Sequence, residues 1–292
     1  MREGQLQTAL RSLLSWYRLA GVDTPVSSMP RDRLVEHMPA TPSSAATNHS
    51  RVKIGPMATA PVAPSGPDPV PGSSSGPAVP EETLPAALRD SAADAETIAA
   101  ACRTLAELRA AVEGFDACAL KRTALHTVFA DGAEDAPLMA IGEAPGADED
   151  RIGRPFVGAS GKLLDRMLAE IGVSRDRNIY ITNVFFWRPP GNRKPTPVET
   201  AQCLPFVRRH IRLKRPRILI ALGATAVQAL LGIDKGITRL RGRWLTYHDD
   251  ELGEVPLLPV FHPAYLLRQP QGKAQFWRDL LTLRDKLQEV EP

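Results

Sequence analysis

Four residues in this chain could act together on a planar, polar ring: Glu143, Phe156, Asn183 and His262. Asn183 presents an amide acceptor and donor side by side, a match for a ring edge with adjacent N–H and C=O groups, such as that of a pyrimidine. Phe156 can stack on the ring face, a contact worth ~1–3 kcal/mol in proteins that bind single-stranded nucleic acid. His262 can donate a hydrogen bond to an oxygen on which negative charge develops. Glu143 is an anion suited to orienting a water or stabilising a cationic sugar. Together these groups fit hydrolysis of an N-glycosidic bond: the base leaves as an anion, the sugar becomes oxocarbenium-like, and water adds. Each residue alone has an ordinary explanation, Asn183 as a turn cap and His262 as a structural histidine before proline. Their joint placement carries the argument.

That placement depends on the elements around them. Four apolar, β-rich runs stand out: PLMAIG, NIYITNV, RILIALG and PLLPVFHP. Helical patterns, GKLLDRMLAEIG and VETAQCLPFVRRHIRLK, separate the first three, and ATAVQALLG follows the third. Strands alternating with helices predict right-handed βαβ units in an α/β fold. The expected architecture is a three-layer α/β/α sandwich with a central, mainly parallel four-stranded sheet. Such sheets bind ligands beyond the carboxyl ends of their strands. The first run delivers Gly142, Glu143, Ala144, Pro145 and Gly146 to that edge, the second Asn183, the third Gly223-Ala224-Thr225 and the fourth His262. The loop IGEAPGADEDRIGRPFVG adds Asp148, Glu149, Asp150 and Phe156. Upstream, AETIAAACRTLAELRAAVEGF reads as one helix and TALHTVFADG as an extended piece. GKAQFWRDLLTLRDKL closes the domain as an amphipathic helix.

The chain has 292 residues. Residues 1–23 space Leu6, Leu10, Leu13, Leu14 and Tyr17 as one face of an amphipathic helix. Residues 24–86 hold about half of the 27 prolines among Ser, Ala and Gly, the composition of a disordered linker. The folded domain is therefore expected over 87–292. The N-terminus lacks the pattern of a signal peptide, and no apolar run reaches membrane-spanning length. These features predict a soluble, cytoplasmic chain with no membrane partner. A formal charge of +3 permits nucleic acid without requiring it. Basic residues cluster in RRHIRLKRPR and again at Arg239, Arg241 and Arg243; the ordinary reading of such a cluster is a solvated face.

The segments GEAPGADED, GRPFVGASGKLLD, YITNV, RPPGNRKPTP, ALGATA, ITRLRGRW and FHPAYLLR, in this order, closely resemble family 4 uracil-DNA glycosylases. The resemblance covers about Ala117 to Leu287. It implies a monofunctional enzyme of base-excision repair that hydrolyses uracil from single- or double-stranded DNA and leaves an abasic site. By it, Phe156 stacks on the flipped uracil, Asn183 reads its polar edge, and His262 stabilises the departing anion at O2. Glu143, or secondarily Glu149, positions water and stabilises the sugar cation. Backbone N–H groups from Gly142 through Ala144 to Gly146 contact the base. Flipping a base out of the stack costs a few kcal/mol, and HPAYLLR supplies the expected wedge, Leu266, with Arg268 on a phosphate and Arg241 on the DNA-facing surface. The chain is expected to act as a monomer, with a protein partner for the first helix.

One part of the family pattern is missing. These enzymes usually hold a [4Fe–4S] cluster through four cysteines. Cys118 and Cys203 match the second and fourth ligand positions, but Phe115 stands at the first and Trp187 at the third. Cys102 lies upstream and does not align. Two thiolates cannot supply the four ligands of a cubane, so no cofactor is expected. A Cys118–Cys203 disulfide is not expected in a reducing cytosol either.

Two readings compete with the enzyme. A damage-binding protein would capture uracil-DNA with little or no turnover; the short RPPGNRKPTP loop, which has no histidine, argues against covalent trapping. A small-molecule nucleoside hydrolase would have no use for the wedge-like HPAYLLR.

Overall fold

The computed structural model describes residues 86–290. The expected helix over 1–23 and the expected linker over 24–86 lie outside the described residues, save Ala86. The described elements run α1 (Ala86–Ala101), α2 (Leu105–Gly114), β1 (Ala130–Gly132), β2 (Leu138–Gly142), α3 (Ala147–Ile152) and α4 (Ala159–Ala169). They continue β3 (Ile179–Asn183), α5 (Pro197–Lys214), β4 (Ile218–Leu222), α6 (Ala224–Leu231) and α7 (Ile237–Leu240). The last are β5 (Leu245–Asp249), β6 (Gly253–Val260), α8 (Pro263–Arg268) and α9 (Gly272–Val290).

Strands β3, β2, β4 and β6 lie side by side and parallel, as the four apolar runs predict. The sheet nevertheless has six strands rather than four, in the order β1-β3-β2-β4-β6-β5. The two additions are antiparallel edges. β1 spans only three residues, and β5 alternates exposed positions around a buried Tyr247. Neither carries the continuous apolar run that marks a strand covered on both faces.

β2, β3 and β4 are buried along their whole length. Their side chains alternate between two cores: Met139, Ile141, Leu219 and Ala221 point to one, and Leu138, Ala140, Ile218 and Ile220 to the other. The first core contains residues of α2, α5 and α6, the second residues of α4, α8 and α9. This is the expected three-layer sandwich. Upstream, the single helix expected before the sheet is two. Thr104 caps α2 by accepting from the Glu107 amide at 3.1 Å, and this cap interrupts the helical run. None of the described helices is long and apolar enough to cross a membrane.

Candidate active site

At the carboxyl edge of the parallel strands, Gly142 at the end of β2 is in register with Asn183 at the end of β3. A methyl group on Gly142 would overlap Asn183 Oδ1 and the Phe156 ring. The glycine is what lets amide and aromatic ring share one floor. Asn183 is 1% exposed and its Oδ1 has no hydrogen-bond partner. An orphan buried acceptor costs ~1–3 kcal/mol, a penalty relieved by a ligand N–H placed there. Above it opens a cleft of about 390 Å³, lined among others by Glu143, Phe156, Asn183, Arg193, His262 and Arg268.

Phe156 reaches this floor from a left-handed backbone conformation, φ 55°, which costs a non-glycine residue about 1–3 kcal/mol. Its ring lies 5.6 Å from the His262 ring, tilted by 35°. His262 is the N-cap of α8, and its Nδ1 accepts from the Ala264 amide at 3.2 Å. Burial pushes its pKa down to about 4, Arg268 adding to the effect and Glu149 opposing it. His262 is therefore neutral at physiological pH. With Nδ1 accepting, the proton sits on Nε2, which is free to donate.

The two glutamates do different things. Glu143 lines the cleft, and its Oε2 accepts from the Thr225 hydroxyl at 2.9 Å. Thr225 lies in the first turn of α6; the sequence places it at this edge, but not its bond to Glu143. Glu149 is buried. It accepts from the amides of Gly146 at 3.1 Å, Val157 at 3.0 Å and Gly158 at 2.9 Å. Its carboxylate is thus spent on tying the Gly146 turn to the segment after Phe156. The Gly146 N–H, which the resemblance places on the base, donates to Glu149. Ala144, Gly146 and Glu149 all line the cleft. Asp150 is also buried and accepts from the Leu125 and His126 amides.

Two DNA-facing assignments also change. Leu266 is 0% exposed within the core shared with α9, so it cannot serve as the wedge; its neighbour Leu267 is 45% exposed. Arg241 is not free for phosphate. It is paired with Asp279, donates to the Gln275 carbonyl at 2.6 Å, and lies over the Phe261 ring. Arg239 and Arg243 beside it are exposed. The stretch RRHIRLKRPR is partly consumed by the fold: Arg209 donates to the Cys102 carbonyl, Arg212 to Asp249, and Lys214 to the Ala136 carbonyl. Its end lies at the opposite edge of the sheet, where the Arg217 amide bonds the Pro137 carbonyl just before β2.

The cysteine region lies in the core opposite the one that holds Phe156. Cys118 and Cys203 are buried free thiols joined by a side-chain hydrogen bond. That bond holds Cys118 below the usual thiol range, while Cys203 is pushed well above it. Phe115 packs edge-on against Phe206 at 5.1 Å. Trp187 is 1% exposed and donates from Nε1 to the Thr127 hydroxyl at 2.9 Å. Among the described residues no group of three or more His, Cys, Asp or Glu is placed to hold a metal. The donor set does not fit a [4Fe–4S] cluster, because two buried aromatic side chains stand where two thiolates would be needed.

A parallel sheet whose strand ends bring a buried amide, an aromatic face and a neutral histidine donor to one cleft defines a base-binding α/β protein. The model of the uracil DNA glycosylase superfamily matches residues 129–281, just over half of the chain. The chain belongs to this superfamily. It is 42% identical over 153 residues to the type-4 uracil-DNA glycosylase of Thermotoga maritima, covering 52% of this chain and 77% of that protein. It is 37% identical over 180 residues to the type-4 enzyme of Archaeoglobus fulgidus, covering 60% and 89%. A type-4 enzyme of Pyrobaculum aerophilum is 37% identical over 186 residues, covering 60% and 91%.

Proposed function

We infer that this chain is a uracil-DNA glycosylase that hydrolyses the N-glycosidic bond of uracil in DNA and so begins base-excision repair. The observation that carries the reading is the unpartnered Oδ1 of buried Asn183 beneath the Phe156 ring. An acceptor there fits the N3–H of uracil, and the neighbouring amide N–H₂ fits its O4. Phe156 supplies the stacking face. His262 donates from Nε2 to O2 as the base departs with negative charge, a preorganised contact that strengthens in the transition state. Glu143, oriented by Thr225, faces the sugar and stabilises its cationic character. Leu267 takes the wedge role at the end of α8, and Arg268 grips a phosphate. Among the described residues no lysine lines the cleft, which supports a hydrolytic rather than a strand-cleaving reaction.

The chemistry above needs no metal, and we propose that the domain folds without an iron–sulfur cluster, its place taken by Phe115 and Trp187. Iron and sulfide analysis of anaerobically purified protein should find well under one cluster per chain; a stoichiometric cluster would refute this. We further propose that the domain acts as a monomer and that residues 1–23 recruit a protein partner.

Activity is tested by incubating the protein with uracil-containing single- and double-stranded DNA, followed by alkali. Abasic sites in excess over enzyme are expected. Binding without turnover, or a stable protein–DNA adduct, would overturn the enzymatic reading in favour of a damage-binding protein.

A further inference from the structure

The strained turn that presents Phe156 is held from outside the cleft by one side chain. Arg175, in the connection between α4 and β3, donates from Nη1 to the Pro155 carbonyl at 2.8 Å and from Nη2 to the Phe156 carbonyl at 2.5 Å. The guanidinium is itself fixed by two carboxylates: Nη1 to Asp131 Oδ2 at 2.7 Å and Nε to Asp165 Oδ1 at 2.9 Å. Its side chain is 14% exposed and that of Asp131 17%. Burial raises the Asp131 carboxyl, but Arg154 and Arg175 outweigh it and hold the group below the usual carboxylate range. From the other side, Gly161 in the first turn of α4 leaves room for the Phe156 carbonyl; a methyl group there would overlap it. A planar fork is suited to holding two adjacent carbonyls, where an ammonium would not.

We propose that Arg175, anchored by Asp131, is a positioning residue that locks the Phe156 turn in the conformation that stacks on the base. The proposal rests on the uracil reading of the cleft. Arg175 touches no reacting atom, so its effect passes through Phe156. A stacking face contributes to the bound base in both ground and transition states, so its misplacement acts on binding more than on the chemical step.

The test is a double-mutant cycle of Arg175→Met and Phe156→Ala. It reads inhibition by free uracil, KM and kcat on uracil-DNA, and affinity for a duplex with an abasic-site analogue. Arg175→Met should raise KM and the uracil inhibition constant by about tenfold, within what a stacking contact is worth, with kcat within about threefold. Affinity for the abasic duplex, which has no base to stack, should stay unchanged. In the Phe156→Ala background, Arg175→Met should add no further loss of uracil binding. Equal losses in both backgrounds, or a parallel loss for the abasic duplex, would show a merely structural role and overturn the proposal. Arg175→Lys should not restore binding, and a full rescue would count against the fork. If Arg175→Met does not fold, Asp131→Asn keeps the shape while loosening the anchor and should show the same uracil-selective loss, smaller in size; no selective loss overturns the proposal. Failure of the wild-type protein to bind uracil or cleave uracil-DNA would instead sink the parent reading, independently of the variants.

Discussion

His262 is set up to act as a neutral donor. With Nδ1 occupied by the Ala264 amide and a pKa pushed down to about 4, its Nε2 proton is present throughout the neutral range. The acid limb of the single-turnover rate attributable to this group should therefore lie near pH 4, not near 6.5, and should vanish in His262→Ala. That variant should lose about 10²- to 10³-fold in rate, the scale of one lost oxyanion donor, with a melting temperature close to wild type. A limb near 6.5 would show that His262 is not desolvated as described. At the neighbouring step, exposure separates two leucines. Leu267→Ala should weaken excision from duplex far more than from single-stranded uracil-DNA, because only the duplex must be opened. Leu266→Ala should instead destabilise the fold by about 2–5 kcal/mol, as a buried large-to-small change does; equal behaviour of the two would contradict the assignment.

Among the elements, the α3 turn and the segment after Phe156 are joined through one buried carboxylate. Glu149 accepts three backbone N–H groups and thereby sets the spacing of two walls of the cleft. Glu149→Gln can accept at only one oxygen and brings a donor against amides that also donate. It should cost about 1–3 kcal/mol in urea unfolding, the penalty for unsatisfied buried donors. Glu143→Gln, on the cleft wall, should leave unfolding unchanged and depress turnover. The reverse pattern would exchange the roles of the two glutamates. GEAPGADED ranks Glu143 ahead of Glu149 only by resemblance, since both are acids in one loop. Their fates depend on which backbone amides arrive from Val157 and Gly158, and those are placed by α4.

At the scale of the whole molecule, a histidine remote from the cleft also carries a pH dependence. His210 on α5 is fully buried, bonds Tyr180 through Nε2 at 2.9 Å, and stacks on Phe129. Burial pushes its pKa down to about 3, with Arg109 and Lys214 adding to the effect. Between that value and the ordinary 6.5, the unfolded chain holds a proton that folded His210 excludes. Its contribution to stability is therefore complete above pH 6.5 and is lost as pH falls towards 3. Urea midpoints measured across that window should rise with pH more steeply in wild type than in His210→Gln; identical slopes would show that His210 is protonated in the fold. The same core holds Phe115, Trp187, Cys118 and Cys203, so the proposed metal-free packing and this pH dependence belong to one layer of the sandwich.

The convergence of Glu143, Asn183 and His262 was legible because each follows an apolar run, and parallel strands of similar length bring their ends to one edge whatever the details of packing; Phe156 joins them from the loop after β2. The four parallel strands were legible for the same reason, since burial on both faces demands uninterrupted apolar residues. Edge strands β1 and β5 were not, having one partner and little buried surface. Nor could the chain alone show that Leu266 is buried and Leu267 exposed, that Arg241 is taken by Asp279, or that Glu149 is held by three amides. The first two outcomes are decided by α9 arriving from farther along the chain, the third by the turn that brings the Val157 and Gly158 amides back onto Glu149. Residue type and local period establish which chemistry a strand end can offer; which side chains remain free to perform it depends on long-range partners that only tertiary packing brings together.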